Sequence, residues 1–258
     1  MSAGEPAALD DSPDAPAGLP RLLSGTRGHA SLEEHRRALD VPPRSRRSAD
    51  ESLLALVERS GLRGRGGAGF PTATKMRAVA SGRGRPVVIV NGAESEPASG
   101  KDRLLLTMRP HLVLDGALVA AAAVGADSIV ICADDDDVLI SVERAVAVRR
   151  SSESSLLPID LALLPRRYVA GEERSIVQLM NGGPAIPTSA PPRPFERGVG
   201  GRPTLIQNAE TLAHLAQVFA FGADWFRELG TAQEPGTRLI TVSVSQYAPF
   251  TSRTVAGR

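Results

Sequence analysis

One cysteine, Cys132, stands in 258 residues. It cannot close an internal disulfide or supply the several thiolates of a zinc ribbon or an iron–sulfur cluster, so any such cluster is expected in another chain. Aromatic side chains are scarce too: six Phe, two Tyr and one Trp, spread along the chain, make no stacking platform for nucleic-acid bases. Nor is there an excess of charge. The 30 basic and 29 acidic side chains leave a formal +1, whereas a nucleic-acid partner calls for a strong basic surplus. Arginine supplies every basic side chain except Lys75 and Lys101, which singles those two out. No apolar run reaches the roughly 20 residues of a membrane span; the longest, within residues 116–125, is mostly alanine and is closed by Asp127. What remains, 42% hydrophobic and 23% charged, is ordinary globular composition, enough for one or two domains of roughly 100–200 residues.

Residues 1–29, rich in Pro, Ala and Gly with acids at Glu5, Asp10, Asp11 and Asp14, are expected to be a disordered tail. They lack the basic and apolar regions of a signal peptide, so a cytoplasmic protein is expected. A capping box of Ser31 and Glu34 opens a short helix to Leu39, ended by Pro42 and Pro43. A second box, Ser48 and Glu51, opens a helix with Leu53, Leu54, Leu56 and Val57 on its apolar face. Residues 61–69 then hold five glycines, and Pro71 suits the first turn of a helix carrying Lys75. Residues 86–91 read as a buried strand, 110–124 as an alanine-rich helix and 128–133 as a second buried strand. Strand, crossover helix and strand make a βαβ unit, and the fold class is α/β. The four acids Asp134 to Asp137 precede a helix, where its dipole favours them without a metal. Further on, 159–164 read as a strand, 171–180 as a short helix, 181–203 as a long Gly/Pro loop, 208–221 as a helix and 238–244 as a last strand.

Gly64-Arg-Gly-Gly-Ala-Gly69 satisfies G-x-G-x-x-G, but a dinucleotide fingerprint follows a strand and here a helix precedes it. A flexible connection is one reading of the loop. The other is a phosphate cradle, since Arg63, Arg65, bare backbone amides, a helix N-terminus and Lys75 come together there. Asn91, Glu94 and Glu96 follow the first strand, where the ligand crevice of an open α/β sheet lies; a solvated acidic turn is the alternative. Glu172 and Glu173 stand at a helix start, where capping explains one of them. Gln207 and Asn208 offer amides at another, although N-capping accounts for Asn208.

The order of these motifs carries more than any one of them. The glycine-rich run from Ser60 to Thr72, Lys75, Asn91-x-x-Glu-x-Glu-Pro97, Lys101-Asp-Arg103, Pro110-His111, Tyr168-x-x-Gly-Glu-Glu173 and Pro203-Thr-x-x-x-Asn208-x-Glu-Thr-Leu212 resemble the FMN- and NADH-binding, 51-kilodalton type flavoprotein subunit of respiratory complex I and related NAD-linked diaphorases. The resemblance implies a Rossmann-like FMN-binding domain in which NADH gives hydride to the flavin. It implies that Gly64, Arg65, Gly66, Gly67, Lys75, Asn91, Glu94, Tyr168, Gly171, Glu172, Gln207 and Asn208 bind the cofactor. Phe70, Glu96 and Glu173 would face the nicotinamide nucleotide, the two glutamates as catalytic residues.

The chain also departs from that pattern. Ala93 stands where the family has Asp, Ala170 where it has Cys, Ala78 and Arg193 where it has aromatic residues, and Ala190 where it has Lys; Phe195 is a candidate substitute for one lost ring. The following ubiquitin-like and iron–sulfur domains have no counterpart in the sequence, and Cys132 does not replace the cluster ligands. The expected organisation is a tail over 1–29, an FMN/NADH-binding α/β domain over 30–240 and, over 241–258, the start of a following domain. The expected function is FMN-dependent NADH oxidation with electrons passed to a partner acceptor, such as an iron–sulfur subunit of a larger complex. No metal and no nucleic acid are expected to be involved, and the expected location is the cytoplasm or, through partners, the cytoplasmic face of the inner membrane. The alternatives are a non-catalytic assembly subunit and a simple flavin- or nucleotide-binding module.

Overall fold

Short runs of β-branched and aliphatic side chains build a parallel sheet. The computed structural model describes residues 21–23, 28–39, 49–94, 96, 98–153, 156–189, 191–241 and, as backbone, 242 and 251–256. Val87–Asn91 forms β1, Ser128–Ala133 β2, Ile159–Leu163 β3 and Thr204–Asn208 β4. They pair in parallel in the order β3-β2-β1-β4. Strands of this kind are covered on both faces, which is why Val87 to Val90 shows no polar alternation. Val88 and Val90 pack with Ile129, Ile131 and Leu205 on one side; Val87 and Ile89 pack with Cys132 and Ile206 on the other.

The crossovers supply the covering layers. α4 (Lys101–Met108) and α5 (Pro110–Val124) join β1 to β2, α6 (Asp136–Ser152) joins β2 to β3, and α7 (Glu173–Met180) lies between β3 and β4. α8 (Ala209–Phe221) leaves β4 directly. Residues of α5, α6 and α8 fill the first cluster, whereas Ile176 of α7 fills the second. Strand order advances from β1 to β3 and then returns to the far side of β1, so the last crossover helix lies on the opposite face, as right-handed connections require. α5 is buried along its whole length, and Gly116 lets α8 approach it closely, since a Cβ there would stand 1.8 Å from the Leu212 carbonyl oxygen. No single helix among the described residues is long and apolar enough to cross a membrane.

Around this unit lie α1 (Leu32–Ala38), α2 (Glu51–Ser60), α3 (Thr72–Ala80), α9 (Ala223–Arg227), β5 (Thr237–Val242) and β6 (Thr251–Ala256). The capping box of α1 forms as expected, Ser31 accepting from the Glu34 amide and Glu34 from the Ser31 amide. α1 is then tied inward by a buried network. His35 Nε2 lies 2.6 Å from Asp115 on α5, Arg149 of α6 lies 2.7 Å from the same carboxylate, and Arg149 Nε donates to His111 Nδ1 at 3.2 Å.

Several expectations are corrected. α2 is capped not by Ser48, which lies outside the described residues, but by Asp50, whose carboxylate accepts from the Ser52 and Leu53 amides. β4 and α4 have no counterpart among the expected elements, and 171–180 divides into a 3-10 turn at Tyr168–Gly171 and α7, because Glu172 turns extended to cap the helix. The tail expected over 1–29 is cut into from within: Leu22 is fully buried in the core, while residues 1–20 and 24–27 lie outside the described residues, as do Pro42 and Pro43. The expected last strand is β5, which pairs antiparallel with β6 in a sheet of its own, so a boundary at residue 240 falls inside a strand. Asp135 caps α6, and no metal-binding group of His, Cys, Asp or Glu occurs among the described residues.

Candidate functional site

The strand order reverses between β1 and β4, and beyond their carboxyl ends lies the crevice where open α/β sheets place ligands. A cleft of about 320 Å³ opens there, within the range of small-molecule sites. Three segments wall it: Gly64, Gly66, Ala68, Gly69 and Phe70 from the loop before α3; Gly171, Glu172 and Glu173 from the start of α7; and Ile206, Gln207, Asn208 and Thr211 from β4 and α8. Lys75 and Asn91 complete it.

The loop is closed at its base by Arg63 and Pro71, which form an antiparallel bridge. Gly64 N donates to Phe70 O at 2.9 Å and Thr72 N to Leu62 O at 3.0 Å. Gly69, with φ of +59°, makes a turn that a side chain would strain. Across the loop, Arg65 N donates to Thr211 Oγ1 at 2.9 Å, pinning it to α8. Pro71 gives α3 no side-chain cap, but the first amide of the helix, Thr72 N, is spent on Leu62 O, and Ala73 and Thr74 line a separate pocket with Pro71, so the helix start does not open into this cleft. One turn in, Lys75 donates to Glu173 and to the Ile206 carbonyl, binding α3 to both other walls. Phe70 stands 53% exposed at the rim, an aromatic face available for stacking.

The amides of the floor differ in what they have left to give. Asn91 Nδ2 donates to Gly171 O at 2.7 Å and its Oδ1 accepts from Ala93 N. Asn208 has every polar site of its side chain engaged by neighbouring residues. Gln207 is buried, yet its Nε2 has no partner, a donor whose desolvation is uncompensated in the protein alone.

Ten of the expected residues meet in this lining: Gly64, Gly66, Phe70, Lys75, Asn91, Gly171, Glu172, Glu173, Gln207 and Asn208. Five do not. Arg65 turns its guanidinium away to the Pro235 carbonyl at 2.9 Å. Glu94 is drawn to α4, accepting from the Asp102 and Arg103 amides at 2.6 and 3.2 Å, which the helix dipole favours. Tyr168 projects from the 3-10 turn, 69% exposed. Gly67 and the exposed Glu96 lie outside the lining. Phe195 packs against the core and does not replace a lost ring in the cleft. Ala190 lies outside the described residues. The lining also takes in Ala68, Gly69, Ile206 and Thr211, of which Gly69, the last glycine of the fingerprint, and Thr211, one turn into α8, lie in motifs the sequence shows.

The cleft brings together a glycine-rich loop, the Lys75 ammonium and the unpartnered amide of Gln207, groups able to meet an anionic, hydrogen-bonding ligand. Comparison with known proteins agrees with that chemistry. Residues 57–217 match the family model of the Nuo51 FMN-binding domain. The chain is similar to an NADH-quinone oxidoreductase subunit of Streptomyces coelicolor, 33% identical over 229 residues, covering 84% of this chain and 49% of that protein. Its counterpart in Aquifex aeolicus is 30% identical over 227 residues, covering 84% and 51%. Among solved structures, a chain of an NAD+-reducing [NiFe]-hydrogenase in the air-oxidized state superposes with a TM-score of 0.75 at 36% identity, covering 80% of this chain and 36% of that one. The chain thus spans about half the length of the curated relatives it matches.

Proposed function

From the fact that this chain belongs to the family of the Nuo51 FMN-binding domain, we propose that its cleft holds FMN and that the chain works as an FMN-dependent NADH dehydrogenase module, passing electrons to an acceptor on a partner subunit. The observation that carries the reading is the convergence of the glycine-rich loop, Lys75 and the unpartnered Gln207 Nε2 on one cleft at the strand reversal. When bound, FMN supplies the chemistry of accepting hydride from NADH and releasing electrons singly.

The protein's own residues bind and orient. Backbone at Gly64 and Gly66 allows close approach of a ring system. The third N–H of Lys75, whose other two are engaged with Glu173 and Ile206 O, is suited to a phosphate or a heterocycle oxygen. Gln207 Nε2 donates from the floor. Glu172 is held by the Arg174 and Ser175 amides, both through Oε2, which fixes the wall at α7. Phe70 offers its face at the mouth, where a nucleotide base can stack, and Glu173, 43% exposed at its side chain, stands where an incoming nucleotide meets the ion pair with Lys75.

The test is a visible absorption spectrum of the protein loaded with excess FMN and desalted, followed by anaerobic addition of NADH. Retained yellow colour that bleaches supports both halves of the reading. Retained colour that does not bleach removes the NADH half, and a colourless protein overturns the assignment of the cleft.

A further inference from the structure

Beneath the cleft lies a buried ionic cluster that touches no open surface of it. Lys101 Nζ stands 2.9 and 3.0 Å from the two oxygens of Asp102, 3.1 Å from Glu210 Oε2 and 3.0 Å from Asn208 Oδ1. Asp102 is 2% exposed and Glu210 1%. Asn208, which lines the cleft, is gripped at both ends. Its Oδ1 accepts from Lys101 and from the Glu210 amide at 3.1 Å, and its Nδ2 donates to Asp102 Oδ2 at 2.6 Å and to Asn91 O at 3.5 Å. An amide side chain has two donors and two acceptor sites, so none is left for a ligand. Asn208 is therefore a bracket between the carboxyl ends of β1 and β4, and the ion pair decides which way round it stands.

We propose that Lys101 and Asp102 are positioning residues of this cleft, acting on it through Asn208; the inference rests on the reading of the cleft as a flavin site. Replacing a buried ionic partner costs more than its own bond, because the remaining charge is left uncompensated. The bracket also answers to acid. Asp102 is faced by Lys101 on its own helix, by Glu94 from the loop after β1 and by Asn208 from the start of α8; Lys101 is also faced by Glu210 of α8, which in turn is faced by His214 and Arg65. Burial raises the Asp102 carboxyl to about 6, assisted by Glu94 and opposed by Lys101. Below that pH the neutral acid no longer attracts both Lys101 and Asn208 Nδ2, and the grip loosens.

The experiment is titration calorimetry of the full chain with FMN from about pH 5 to 8. Because a phosphate also titrates near about pH 6, affinities are read as ratios between proteins at each pH. Asp102→Asn is expected to weaken FMN binding about tenfold at neutral pH, with the ratio to wild type closing towards one at pH 5. Lys101→Met is expected to lose as much and Lys101→Arg to recover part of it. In an Asn208→Ala background, Asp102→Asn should change the affinity by less than about twofold, the mark of action through one residue. Equal binding of wild type and Asp102→Asn at every pH, or effects of Asp102→Asn and Asn208→Ala that simply add, would overturn the inference. Should Asp102→Asn fail to fold, the ratio of wild type to Asn208→Ala alone decides: it must fall as pH drops through 6, and a flat ratio overturns the proposal. Failure of wild type to bind FMN at all strikes the reading of the cleft instead.

Discussion

Single side chains in this protein matter by what they leave unmet. Gln207 is the clearest case, since its buried Nε2 lacks a partner and an unmet buried donor costs roughly 1–3 kcal/mol. Gln207→Leu is therefore expected to hold or raise the melting temperature of the ligand-free protein while weakening FMN binding about tenfold. Opposite signs in a melting curve and a binding titration check this, and a parallel loss of both would show Gln207 to be structural. Much of the lining is legible from residue type and order: glycines 64 and 66, Lys75, Asn91, Glu173 and Gln207 all meet in the cleft. Arg65 and Glu94 escape that reading for one physical reason. A cation near a glycine loop and a carboxylate after a strand look like ligand groups in one dimension. In three, Arg65 finds the Pro235 carbonyl and Glu94 the open amides of α4, partners that lie outside the motif each residue belongs to.

At the scale of elements, buried helices and strands are visible in composition, while elements defined by their surroundings are not. α5 declares itself by fifteen buried residues in one run. β4 does not, because Thr204–Asn208 is a five-residue strand that follows a Gly/Pro-rich loop and shows no period of two; only its pairing with β1 identifies it. α4 is hidden for a related reason, its first residues being the charged Lys101, Asp102 and Arg103, of which Lys101 and Asp102 neutralise one another only after folding. The contact between α5 and α8 gives a sharp test. With a Cβ at residue 116 placed 1.8 Å from the Leu212 carbonyl oxygen and 2.4 Å from its carbon, neither helix can yield without moving its backbone. Gly116→Ala is expected to destabilise the fold by about 3 kcal/mol, read as a lowered urea midpoint with an unchanged slope. A shift below a third of that would mean the helices slide apart freely.

The whole molecule carries its pH response in histidines rather than in the cleft alone. Burial, with the Arg149 guanidinium alongside, pushes His111 down from 6.5 to about 3, and burial lowers His214 as well. Each stays neutral in the folded chain while the unfolded chain takes up a proton, so their contribution is intact above about pH 6.5 and is lost as the pH falls, for His111 progressively down to about pH 3. Asp102 works the other way, because its raised value of about 6 against 3.8 lets the folded state hold a proton that the unfolded state has released. The difference between wild type and His111→Gln isolates the first effect: the variant should lose less stability between pH 6.5 and 4, measured by urea denaturation at each pH. Identical slopes for the two proteins would remove His111 from the account.

The sheet order has a further consequence, in time. Asn208 meets Asn91 across 117 residues, and the lining of the cleft runs from Gly64 to Thr211. A chain growing from its N-terminus releases the glycine loop first and the strand that completes the pocket last. Until Thr211 has cleared the ribosome there is half a cleft, with an exposed edge of β1 where β4 will lie. Capture of a cofactor consequently waits until β4 and the first turn of α8 have emerged, and a nascent fragment halted before β4 has only part of the lining with which to hold one.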